Sequence, residues 1–109
     1  MTGYLIVRAE VAPEDRAAFD RWYEAEHLPD AFKGFQAVTA RRGWSEETPG
    51  VHIAIYEFGS LERAREIADS VMIRGLIAEF DRVWADRVSR TREVMGVTQA
   101  LGIAPPAPV

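Results

Sequence analysis

The segment Val51-His52-Ile53-Ala54-Ile55-Tyr56-Glu57-Phe58 constrains the fold more than any other stretch. Its β-branched and aromatic residues read as a strand, and its alternation leaves neither side polar. Val51, Ile53 and Ile55 point one way, while Ala54, Tyr56 and Phe58 point the other. A strand apolar on both sides belongs to a sheet with both faces covered. The first apolar run, Tyr4 to Val11, repeats the pattern, with Leu5, Val7, Ala9 and Val11 on one side and Tyr4 and Ile6 on the other.

The remaining elements follow from turn and helix signals. Pro13 suits the first turn of a helix, with Glu14 and Asp15 at its positive end, and Ala18, Phe19, Trp22, Tyr23 and Glu26 form one inward stripe. Pro29 disfavours a helical Leu28, so the helix is expected to break near His27, with a short turn through Phe32 that Gly34 ends. Phe35 to Trp44 reads as the second strand, joined to Val51 to Phe58 through the turn Ser45-Glu46-Glu47-Thr48-Pro49-Gly50. Ser60 caps a helix whose Leu61, Ala64, Ile67 and Ala68 face inward. The pattern slips between Ser70 and Gly75 and resumes with Leu76, Ile77, Phe80, Val83, Trp84 and Val88, which predicts two helical segments with an irregular join. Thr91 to Gln99 is the last strand, and the proline-rich tail 104–109 is expected to be mobile.

The order β-α-β-β-α-β defines an α+β, ferredoxin-like antiparallel sheet with helices on one face. At 109 residues the chain is expected to be a single domain with an ordered core over about 4–99. Its helices suffice for one sheet face. The other apolar face predicts a homodimer formed through the sheets.

Composition narrows the function classes. A net charge of −4 argues against a phosphate-tracking surface, so no nucleic-acid partner is expected, although RNA-recognition modules share this strand order. The absence of cysteine excludes thiolate nucleophiles and disulfides, and makes a cytoplasmic location the default. The N-terminal apolar run is too short for a signal core or a membrane span, so no membrane partner is expected. Two histidines distant in sequence, His27 and His52, give no metal-ligand spacing, and neither a metal nor an organic cofactor is expected.

The chemistry is expected around His27. Imidazole titrates nearest neutrality, and a position at the negative end of a helix, with Glu24 and Asp30 nearby, favours its protonated form as proton donor or anion clamp. The alternative is architectural, a His27 ring that caps carbonyls freed where the helix stops. Trp22, Tyr23, Tyr56, Phe80 and Trp84 are candidates for an aromatic-lined ligand cavity or for ordinary core. Arg41 and Arg42 project to opposite faces, and Arg41 is the candidate partner for an anionic group. His52 reads as a structural strand histidine.

Phe19-Asp20-Arg21-Trp22-Tyr23, then Glu26-His27-Leu28-Pro29, then Lys33-Gly34-Phe35 before a strand with Arg41-Arg42, resembles the dimeric α+β-barrel superfamily, particularly its EthD-like small proteins. The resemblance covers about residues 4 to 99, in detail only from the first helix to the second strand. It implies a dimer whose sheets close into a barrel, with a ligand between sheet and helices. His27 and Pro29 match the His-x-Pro corner of that superfamily. Its members include cofactor-independent monooxygenases, lactone isomerases, polyketide cyclases and haem-degrading proteins, the last with an axial histidine that Leu61 to Val88 lacks. Two readings stay open: a cofactor-independent monooxygenase, isomerase or cyclase using His27 for proton transfer on a small aromatic or polyketide-like substrate, and a non-catalytic ligand-binding or structural homodimer.

Overall fold

The strands β1 (Gly3–Val11), β2 (Thr39–Trp44), β3 (Val51–Phe58) and β4 (Val88–Gly96) pair antiparallel in the order β2-β3-β1-β4. Four α-helices, α1 (Arg16–Trp22), α2 (Leu28–Phe35), α3 (Leu61–Ala68) and α4 (Val71–Trp84), complete the ferredoxin-like α+β fold. The computed structural model describes residues 1–102, and the proline-rich tail expected at 104–109 lies outside the described residues. No described helix is long and apolar enough to cross a membrane.

Register sorts the sheet into its two faces. Leu5 lies opposite Tyr56 and Val94, and Ala9 lies opposite His52 and Arg90, so these residues share one face. That face is the core: Leu5, Ala9, Ala54, Tyr56 and Phe58 are buried together with Phe19, Phe35, Ile73, Phe80 and Trp84 from the helices. Ile6 pairs with Ile55, and Arg41 pairs with Ile55 from the other side, which places them on the opposite face. There Tyr4, Ile6, Val51, Ile53 and Ile55 are half-buried beside the Arg8–Glu93 ion pair.

The first helical region departs from expectation. It does not break at His27. Residues Tyr23–His27 form one π-helical turn between α1 and α2, and His27 and Leu28 both keep right-handed helical angles. The Leu28 N–H bonds to the Tyr23 carbonyl, five residues back rather than four. This widening accommodates Pro29, which has no N–H to give and whose ring would otherwise clash with the preceding turn. Gly34 lies inside α2, where a Cβ would come within 2.8 Å of the Met72 sulfur, so it serves the approach of α2 to α4 rather than ending a turn. The stop is Gln36, in the left-handed conformation at φ 54°.

Other boundaries shift for related reasons. Phe35 closes α2 and β2 begins only at Thr39, because Phe35 and Ala37 are drawn into the core. Val88 belongs to β4 rather than to the preceding helix, and β4 spans Val88–Gly96 instead of starting at Thr91. Ala18 and Glu26 are exposed, leaving Phe19 and Tyr23 as the buried stripe, with Trp22 half-buried. The Ser60 cap is present, its Oγ accepting from Arg63 N at 3.0 Å. The irregular join is a second cap: Ser70 Oγ accepts from Ile73 N at 3.2 Å and donates to the Ile67 carbonyl at 2.7 Å, which stops α3 and starts α4.

Candidate functional site

A cavity of about 200 Å³ lies between the inner sheet face and the helices. Strands β1 and β3 supply Leu5, Val7 and Tyr56, α2 supplies Phe35, and α4 supplies Ile73, Leu76, Ile77 and Phe80. The π turn contributes Tyr23 and His27, its first and last residues. Strand β4 completes the wall with Arg90, Thr91 and Arg92. Thr91 and Arg92 are exposed whereas Leu5, Tyr23, Phe35 and Tyr56 are buried, so the cavity opens beside the free edge of β4.

His27 is held by aromatic rings. Its imidazole stacks on Trp22 with centroids 4.6 Å apart and planes 20° apart, and meets the edges of Tyr23 at 4.9 Å and Phe80 at 5.6 Å. Burial in this setting, and then the positive charge of Arg90, push its pKa down to about 4 from the usual 6.5. Asp30 and Glu79 pull the other way and lose. The expectation of a protonated ring at a helix terminus is therefore corrected: burial and Arg90 favour the neutral ring, and His27 lies within a continuous helical region rather than at its end.

The other polar groups of the cavity are donors or cations. Burial raises the pKa of Tyr23 and raises that of Tyr56 well above its usual 10, and the two phenols act on each other, so both stay protonated. Arg90 lies over the Phe80 ring at 4.1 Å and pairs with Asp81 Oδ1 at 3.1 Å. A neutral imidazole, two mutually interacting phenols, the Thr91 hydroxyl and the Arg90 and Arg92 side chains thus share a lining whose other members are apolar. Such a site can take a proton from a carbon acid and hold the oxygen charge that develops.

Of the residues singled out from sequence, His27, Tyr23, Tyr56 and Phe80 are brought together at the cavity. Trp22 backs His27 without lining the cavity. Trp84 is buried at 3% exposure in the core behind it, and among the described residues its indole N–H has no hydrogen-bond partner. Arg41 lies on the far face of the sheet, because its pairing with Ile55 fixes its parity. Arg42 turns inward, but towards a separate cluster: its Nη1 donates to Asp20 Oδ1 at 2.8 Å and approaches His52 Nε2 at 3.3 Å, while Trp44 Nε1 donates to the same Asp20 oxygen at 2.8 Å. His52, 1% exposed, belongs to that cluster. Arg90 and Arg92 were missed; their alternation with Val88 and Val94 was the available signal, cut short for Arg90 once Val88 was read as helical and the strand as starting at Thr91.

The fold is shared with solved structures of low sequence identity. An EthD family protein from Bacillus halodurans superposes with a TM-score of 0.69 at 17% identity, over 90% of this chain and 100% of the other. A NIPSNAP family protein of unknown function from Agrobacterium tumefaciens gives 0.66 at 17% identity, over 95% and 92%. A protein provisionally described as an antibiotic biosynthesis monooxygenase, from Deinococcus radiodurans, gives 0.68 at 9% identity, over 94% and 98%. No protein-family model matches the chain, and no curated protein matches it. These likenesses establish the ferredoxin-like α+β fold of the EthD and antibiotic biosynthesis monooxygenase structures, and the fold alone.

Proposed function

We propose that this protein is a small-molecule enzyme of the dimeric α+β-barrel type in which His27 acts as a general base on a small aromatic or polyketide-like substrate. One observation carries the reading: an unprotonated imidazole faces a cavity that also holds two protonated phenols, Tyr23 and Tyr56. In the proposed step the substrate C–H bond breaks, its proton passes to a ring nitrogen of His27, and its electron pair moves onto the adjoining carbonyl. The enolate oxygen then accepts hydrogen bonds from the phenols. Return of the proton at another carbon isomerises the substrate; attack of the carbanion on an internal carbonyl cyclises it, the alkoxide taking the proton back from His27; and addition to dioxygen gives a peroxide that His27 protonates and that loses water to leave a new carbonyl. The EthD-fold and monooxygenase-fold neighbours support this class without selecting among its outcomes.

The test is exchange of substrate C–H for solvent deuterium across a panel of aromatic and polyketide-like 1,3-dicarbonyl compounds, in the wild type and in His27→Gln. Exchange in the wild type that is lost in His27→Gln supports the reading. Equal exchange in both removes His27 from the mechanism. The second reading, a non-catalytic ligand-binding homodimer, is favoured by the stacking of His27 on Trp22, which fits a purely packed ring, and ligand uptake without exchange would select it.

The dimer is part of the proposal. The half-buried Ile6, Ile53 and Ile55 lie on the sheet face away from the helices, where a second copy would cover them. Sedimentation should give a dimer at micromolar concentration that Ile53→Glu converts to monomer; a wild-type monomer would refute it.

A further inference from the structure

The chain carries 17 acidic against 13 basic residues, yet none of the residues lining the cavity is an aspartate or glutamate. Two arginines, Arg90 and Arg92, stand instead on its β4 side. Arg90 is the deeper one, its side chain 21% exposed with the guanidinium over the Phe80 ring. Its carboxylate partner Asp81 meets Nη2 at 3.1 Å and is itself 61% exposed, so solvent weakens that pair. A guanidinium has five N–H donors in a planar fork, enough to serve Asp81 and a second anion together. The buried part of the lining is formed by the apolar Leu5, Ile73 and Phe80 together with Tyr23 and Tyr56. About 200 Å³ is below the roughly 300–1,000 Å³ of sites for drug-sized ligands, which limits the occupant to about one ring.

We propose that the cavity binds a one-ring organic carboxylate, its charge held by Arg90 at the β4 side and its ring packed between Leu5 and Phe80. This rests on the reading of the cavity as a ligand site and adds the charge of the ligand to it. Desolvating an anion without a partner is costly, so a cavity with a half-buried cation and no acid discriminates by charge more strongly than by shape.

Benzoate and benzamide share a ring and differ in charge, and their affinities for the full chain, measured by ligand-observed NMR and calorimetry, test the proposal. A charge-assisted interaction of this kind corresponds to roughly a ten- to hundredfold preference for benzoate. Arg90→Gln should lower benzoate affinity to that of benzamide, and Asp81→Asn, which removes the competing carboxylate, should tighten benzoate alone. Equal binding of the two compounds by the wild type overturns the charge assignment while leaving the cavity as a ligand site. Failure of both to bind at millimolar concentration overturns the cavity reading as well. A benzoate preference that survives Arg90→Gln, or weakens in Asp81→Asn, also overturns the assignment.

Discussion

His27 and His52 have the same electrostatic signature and opposite surroundings. Each imidazole is held down to about 4, first by burial and then by an arginine, Arg90 for His27 and Arg42 for His52. Arg42 is spoken for: it donates to Asp20, approaches His52 Nε2 and encloses that ring with Trp44 and Phe19. Because a guanidinium only donates, His52 Nε2 must accept, which fixes the ring as neutral with its proton on Nδ1. His27 instead faces an opening, and its arginine has donors to spare. A depressed pKa therefore does not by itself mark a working histidine; what differs is whether the ring's surroundings are closed.

The largest expected effect separates the two directly. His27→Gln should reduce proton transfer by roughly 10²- to 10⁴-fold, the usual contribution of a positioned general base, with little change in unfolding midpoint. His52→Gln should do the reverse, lowering the midpoint while leaving turnover near wild type. Deuterium-exchange kinetics and urea unfolding on both variants check this. A His52→Gln enzyme as inactive as His27→Gln would erase the distinction.

Acid should act on the two histidines alike. An unfolded histidine titrates near 6.5, whereas both rings titrate near 4 in the folded chain. Between those values the unfolded state binds protons that the folded state refuses, so stability is flat above pH 6.5 and falls as pH drops towards 4. Each fully expressed shift corresponds to about 3 kcal/mol, less for His27, which borders the cavity. Urea unfolding across pH 4 to 7 should show this slope, and His52→Gln should make it shallower while His27 supplies the remainder. A stability profile level through this range would contradict both assignments.

The sequence disclosed the closed region less well than the open one. Tyr23, His27, Tyr56 and Phe80 are legible because aromatic spacing and a His-x-Pro corner are local signals; the β3 alternation sorts that strand into two faces, both apolar, and the helices decide which is inner. Arg41 and Arg42 are adjacent, so choosing between them needs the register with β3, a non-local fact. The π turn is invisible to an α-helical template: Pro29 signals a break, and only tertiary packing decides that the chain widens by one residue and continues. Burial and Arg90, both tertiary effects, reverse the electrostatics expected for His27. Arg90 was lost to an error of one element boundary, since Val88 fits a helical stripe and a strand equally well, whereas Arg92 fell inside the expected strand and only its face was undetermined.

Removing Asp20 should sharpen the comparison from the closed side. Asp20→Ala leaves Arg42 and the Trp44 indole N–H without their shared acceptor. A fully buried pair broken this way costs roughly 3–5 kcal/mol, but the Asp20 side chain is 42% exposed, so water replaces part of what is lost. About 2 kcal/mol is the expected destabilisation. Asp20→Asn, which keeps an acceptor oxygen, should cost less. Equal unfolding free energies for the two variants would mean that the hydrogen bonds to the indole and guanidinium contribute nothing beyond charge.

The smallest expected effect belongs to the arginine of the open side. Arg90→Gln removes an ion pair to an Asp81 side chain that is 61% exposed and a contact with the Phe80 face at 4.1 Å. Exposed ion pairs and cation–π contacts are each worth about 1 kcal/mol or less. Against these losses stands a gain: Arg90 is the second cause of the low His27 pKa, so its removal relieves a repulsion felt whenever His27 protonates. At pH 7 His27 is neutral and that gain is absent, so Arg90→Gln should cost about 1 kcal/mol through the lost contacts alone, and at pH 5 the variant should lose less further stability than the wild type does. Urea unfolding at the two pH values measures this. A large loss at pH 7 would mean that Arg90 is built into the core in the way Arg42 is, and that the cavity's positive charge is there to hold the fold rather than to meet a ligand.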